Sequence, residues 1–146
     1  MKLPKPEPGL VIRYGFLWRH EFEAGREEGK DRPCALVLGD LPPTEGAPPR
    51  ILVVPITRSR PSNPDEAIEI PAVIKTGLGL DGERCWLILS ESNIFRWPGP
   101  DVRPVLLGPK VAGAYGMLPP RFFAEVKRRF LAIAMSKRNK PVPRMD

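Results

Sequence analysis

Proline most constrains what this chain can fold into. Twenty of its 146 residues are proline, well above the usual share of about 5%. They follow no repeat, and most sit in clusters between apolar runs. Inside a helix a proline removes a hydrogen bond and clashes with the preceding turn. In a sheet it is confined to edges and bulges. The pattern therefore predicts short strands joined by stiff loops. The length suffices for one domain with a modest core.

Five segments read as strands. Leu10 to Trp18 (LVIRYGFLW) is β-branched and aromatic, and most of its alternating Tyr14, Phe16 and Trp18 are expected in the core. Arg19 to Arg32, charged and broken by Gly25 and Gly29, is expected as a long exposed loop. Cys34 to Leu38 (CALVL) reads as a strand buried on both faces. After a proline-rich loop at 41–50 comes Ile51 to Ile56 (ILVVPI), where Pro55 implies an edge position or a bulge. Ala67 to Ile70 alternates, and Arg84 to Leu89 follows a turn at Asp81-Gly82. Ser90 to Gly116 reads as irregular, with Phe95 and Trp97 as candidates for exposure. Pro119-Pro120 opens the one convincing helix, about 120–135, with Phe123, Val126, Phe130 and Ile133 on one face. The expected fold is mainly β with a C-terminal helix, a β-rich α+β domain in which a helix caps a small barrel. A single domain over 1–146 is expected, its core about 9–135 and its flexible tails 1–8 and 136–146.

Charge and cysteine usage narrow the function classes. Residues 121–146 carry eight Lys/Arg against Glu125 and Asp146, an excess equal to the whole net charge of +6. The basicity is thus a terminal feature, and alone it does not establish nucleic-acid binding. Two cysteines and one histidine, widely separated, do not make a zinc site, so no metal or other cofactor is expected. Cys34 and Cys85 lie in apolar runs and read as small core residues. The first residues (MKLPKPEP) lack an apolar signal core, and no apolar run approaches the roughly 18 residues of a membrane span. A soluble cytoplasmic protein without membrane contact is expected.

Two positions stand out for chemistry. Arg32 precedes the second strand in Asp31-Arg32-Pro33, and Thr57 ends the third in Pro55-Ile56-Thr57-Arg58-Ser59. If these strands are neighbours, the two side chains converge at one rim. A guanidinium is a fixed planar donor for phosphate oxygens, and a threonine hydroxyl adds a further hydrogen bond. His20, the sole histidine, sits in the charged stretch as a candidate acid or base.

The order and spacing of Gly9-Leu10-Val11, Arg32-Pro33 leading into a hydrophobic strand, and Val54-Pro55-Ile56-Thr57-x-Ser59 resemble the MazF/PemK/Kid group of toxin–antitoxin ribonucleases. The resemblance covers the first ninety-odd residues. It implies an SH3-like barrel that forms a homodimer, cleaves single-stranded RNA without a metal and is inhibited by a cognate antitoxin. Carried over by position, Arg32 matches the family's catalytic arginine and Thr57 its catalytic threonine. Several members end the later strand with an acidic residue followed by Gln, where this chain has Ser90-Glu91. Glu91 is therefore a second acid/base candidate, displaced by one place. Arg26, Lys30, Arg58, Ser59 and Trp97 are candidate RNA contacts. Two other readings are a catalytically inactive RNA- or protein-binding barrel and a relative that poisons DNA gyrase.

Overall fold

Alternation with period two builds the centre of the sheet. The computed structural model describes residues 2–40 and 46–144, so residues 41–45 of the proline-rich stretch lie outside the described residues. Strands β1 (Leu10–Phe16), β2 (Lys30–Leu38) and β3 (Arg50–Thr57) pair antiparallel in chain order. Successive side chains point to opposite faces, and here both faces are covered. Val11, Val37, Val54 and Ile56 pack on one side with Val126, Phe130 and Ile133 of the C-terminal helix. Ile12, Tyr14, Cys34, Leu36 and Val53 form a second cluster with Phe95. That double burial is why these segments read as continuous apolar runs.

The later strands wrap around this centre. They are β4 (Ala67–Glu69), β5 (Trp86–Ile88), β6 (Asn93–Arg96), β7 (Val102–Arg103), β8 (Val105–Leu107), β9 (Lys110–Ala112), β10 (Gly116–Met117) and β11 (Val142–Pro143). The main path runs β10-β1-β2-β3-β5-β4, and β8 and β9 form a separate hairpin. Among the described residues the two ends of the path do not pair, so the sheet curls without closing. The fold is mainly β with a C-terminal helix, α3 in chain order (Pro120–Met135).

Five expectations are corrected. The charged stretch after β1 contains a short helix, α1 (Arg19–Glu23). Glu21 accepts a hydrogen bond from the Trp18 N–H at 3.0 Å and Glu91 one from the Arg19 N–H at 2.8 Å, satisfying donors that a helix start leaves open. β2 begins at Lys30, so Arg32 lies within the strand. Gly29 makes this start possible, because a Cβ there would overlap the Phe16 carbonyl. Pro55 is not on an edge strand. It faces Cys34 of β2 where the other side of β3 changes partner, from β6 through Val53 to β5 from Ile56. Phe95 is 3% exposed and stacks on Tyr14 with ring centroids 4.5 Å apart, because β6 turns it under the sheet.

The last correction concerns the segment after α3, expected as a tail. It returns to the sheet as β11, parallel to β6. The Arg144 side chain, 5% exposed, donates to the Gly15 carbonyl, Asn93 Oδ1 and Asp101 Oδ2 and lies over the Tyr14 ring. A further helix, α2 (Ala72–Leu78), starts after Pro71 and ends at Gly79, whose φ of 71° is the left-handed C-cap conformation. Among the described residues no helix is long and apolar enough to cross a membrane.

Candidate active site

The β2–β3 register places the two singled-out side chains. Cys34 pairs with Pro55. Continuing the ladder by two residues sets Arg32 opposite Thr57, on the same face of the sheet. Both residues line two adjoining clefts of about 390 and 450 Å³. The first cleft runs past Asp81 and Tyr115 and the second past Trp18 and Glu91. Arg32 and Thr57 thus form the ridge between the two.

Each member of the ridge is oriented. The Arg32 guanidinium lies over the Trp18 ring, 5.1 Å from its centroid. Its Nε is buried without a hydrogen-bond partner, and the side chain has no ion pair among the described residues. By contrast, neighbouring Asp31 is shared by Arg13 at 3.5 Å and Arg103 at 3.6 Å. A half-buried cation without a counter-charge is an unbalanced term, and an anionic ligand balances it. The Thr57 hydroxyl accepts from the Ser59 N–H at 3.1 Å. That bond occupies an acceptor lone pair and leaves the hydroxyl proton to donate.

Several other candidates gather around the ridge. Lys30 and Arg58 line the Asp81 cleft, Arg58 pairing with Asp81 at 3.3 Å. His20, Ser59 and Glu91 line the other cleft. Burial raises the Glu91 carboxyl above the ordinary carboxylate range, opposed by the Arg19 N–H and by the nearby His20 and Arg19 charges. A carboxyl shifted in this direction is better matched to proton transfer near neutrality than a solvated one. Cys85 also faces the Asp81 cleft, but burial pushes its thiol up and keeps it protonated.

Two candidates are not brought to the site. Arg26 pairs with Glu21 at 2.8 Å and lines neither cleft. Trp97 packs against the second apolar cluster, likewise outside both clefts. Conversely, sequence reasoning missed Trp18, Asn63, Asp81 and Tyr115 as cleft residues. Trp18 was read as the end of the strand alternation, but β1 stops at Phe16 and Trp18 leads into α1. Asn63 and Asp81 carried a weak signal as turn formers. Among the described residues no group of three or more His, Cys, Asp or Glu is placed to hold a metal ion.

No family model matches this chain, and no curated protein matches it.

Proposed function

We propose that this chain is a metal-independent, sequence-selective endoribonuclease toxin that cleaves single-stranded RNA and is held inactive by a cognate antitoxin in the cytoplasm. One observation carries the reading: a half-buried arginine, without a counter-ion among the described residues, faces an oriented threonine hydroxyl across a strand pair, at the meeting of two clefts. That is a donor set for a phosphodiester. It occupies the positions at which the sequence resembles the MazF/PemK/Kid catalytic pair.

The reaction uses the substrate's own 2′-hydroxyl. Its oxygen bonds to the adjacent phosphorus, its proton passes to a base, and the bond from phosphorus to the 5′-oxygen breaks. The leaving oxygen takes a proton from an acid, giving a 2′,3′-cyclic phosphate and a 5′-hydroxyl. Arg32 and Thr57 stabilise charge building on the phosphorane oxygens. Arg32 is a poor proton donor, its pKa exceeding about 12. Proton transfer therefore falls to Glu91 as base and His20 as acid, both in the same cleft.

A homodimer is part of this reading, supported by the open sheet, whose ends leave strand edges to cover. Sedimentation at micromolar concentration is expected to give twice the monomer mass. An antitoxin fits as an acidic or amphipathic segment laid over the Arg32 rim.

The binding-only reading has one observation in its favour. Glu91 already anchors the start of α1 through the Arg19 N–H, a structural task independent of chemistry. Induced expression separates the two. Growth arrest with fragmented RNA, relieved by Arg32→Ala, supports the ribonuclease. Arrest with intact RNA and damaged DNA supports gyrase poisoning, and no arrest supports the binding module.

A further inference from the structure

The two clefts beside the ridge share Arg32 and Thr57 and are built alike on either side of them. Each has one aromatic wall, Tyr115 in one and Trp18 in the other. Each has an exposed arginine from the segment after β3, Arg58 in one and Arg60 in the other. Each also has a side chain whose one polar atom is fixed by a backbone turn. Asp81 Oδ1 accepts from the Glu83 N–H at 3.0 Å, and Asn63 Oδ1 accepts from the Asp65 N–H at 3.0 Å. These bonds leave Asp81 Oδ2, paired with Arg58, as an acceptor in the first cleft and the Asn63 amide nitrogen as a donor in the second. Aromatic face, cation and fixed polar group are the three elements with which single-stranded nucleic acid is held: stacking, phosphate contact and base-edge reading. Both volumes fall within the roughly 300–1,000 Å³ of small-ligand pockets.

We infer that the clefts are two base-reading subsites for the nucleotides on either side of the phosphate seated at Arg32 and Thr57, with Asp81 and Asn63 as the specificity-determining groups. This rests on the ribonuclease reading and adds what the substrate must present. Asp81 offers an acceptor, which selects a base carrying an exocyclic amine, as carboxylates do. Asn63 offers a donor, which selects a base presenting a carbonyl or ring nitrogen. The apolar Leu106, 70% exposed on the β8–β9 hairpin, lines the Asp81 cleft and gains a covering from the base seated there.

The test digests an RNA pool of randomised sequence with the full-length protein and maps the new 5′-hydroxyl ends. Asp81→Asn and Asn63→Asp keep the oxygen that holds each turn while exchanging acceptor for donor and donor for acceptor. Asp81→Asn is expected to change base preference at one side of the cut by about fivefold or more, the low end of one good base contact. Asn63→Asp is expected to do so at the other side. Leu106→Ala and Ser90→Ala, in the same two clefts, carry the test if either first variant melts early. Profiles identical to the parent's, or both variants shifting the same side, overturn the two-subsite assignment and leave the ribonuclease standing. A parent protein that cuts no RNA in the pool overturns the ribonuclease reading, and the subsites with it.

Discussion

Thr57→Val keeps the shape of the side chain and removes its one donor from the ridge between the clefts. Loss of one preorganised donor typically costs 10²–10³ in rate, and that is the expected fall in kcat for RNA cleavage, read in single-turnover assays. Glu91 gives a signed pH dependence. Burial raises its carboxyl, so the native state holds that proton more tightly than the unfolded chain does. Its contribution to stability is present at low pH and declines as pH rises from the ordinary carboxylate value of about 4.3 through the raised one. A base must be deprotonated, so activity is expected to rise over the same window. Glu91→Gln is expected to lower activity and abolish that acid limb; a variant retaining the limb would take the base role from Glu91. Arg32 and Thr57 were legible in the sequence because strand register needs only the two apolar runs around them. The partners that orient them were not. Trp18 reaches Arg32 through a chain turn after β1, and Ser59 reaches Thr57 through its backbone N–H.

Among the elements, β1, β2 and β3 were readable as continuous apolar runs because both their faces are buried, and α3 because its burial is periodic. Val126, Phe130 and Ile133 of α3 are all buried at helical spacing. The short α1 was hidden because it buries no residue, and its first N–H groups are satisfied by glutamates from within it and from beyond β5. β11 was hidden because only Val142 of it is buried apolar and the rest of its hold on the sheet is polar. Asn139 bonds to Ser92 and the Leu89 carbonyl, and Arg144 bonds to Gly15 and Asn93. Asn93 in turn brackets the N–H and carbonyl of Leu17, just before the cleft residue Trp18. The C-terminal segment therefore braces the chain that delivers Trp18 and α1. Hydrogen bonds to charged groups are worth about 1.5–3 kcal/mol. Arg144→Ala is expected to lower stability by about 2–3 kcal/mol in urea unfolding. Lys140→Ala, at an exposed position, is expected to stay within about 0.5 kcal/mol. Equal effects would show that Arg144 holds nothing.

For the whole molecule, the charge balance reads differently once folded. Among the described residues, four of the eight basic residues after 120 have partners within the protein. Arg128 pairs with Glu125, Arg129 donates to the Ala67 carbonyl, Arg138 pairs with Glu66, and Arg144 is enclosed. The cations at the clefts are Lys30, Arg32, Arg58 and Arg60, of which Arg58 is paired with Asp81 and exchanges that partner for a phosphate. Four phosphate contacts on single-stranded RNA correspond to a log–log salt slope of roughly −3, at about −0.7 per contact. Binding to an RNA blocked at its 2′-hydroxyls is expected to give that slope; a value near −6 would bring the C-terminal basic face into the interface. The most direct measurement remains the reaction itself. The purified protein and its Arg32→Ala variant are incubated with mixed-sequence single-stranded RNA in EDTA, and the fragment ends are read. Discrete fragments with 2′,3′-cyclic phosphate and 5′-hydroxyl ends, at least about a hundredfold slower with the variant, are the expected result. RNA left intact by the parent protein, or cut equally by both, would contradict the assignment of this ridge as a ribonuclease site.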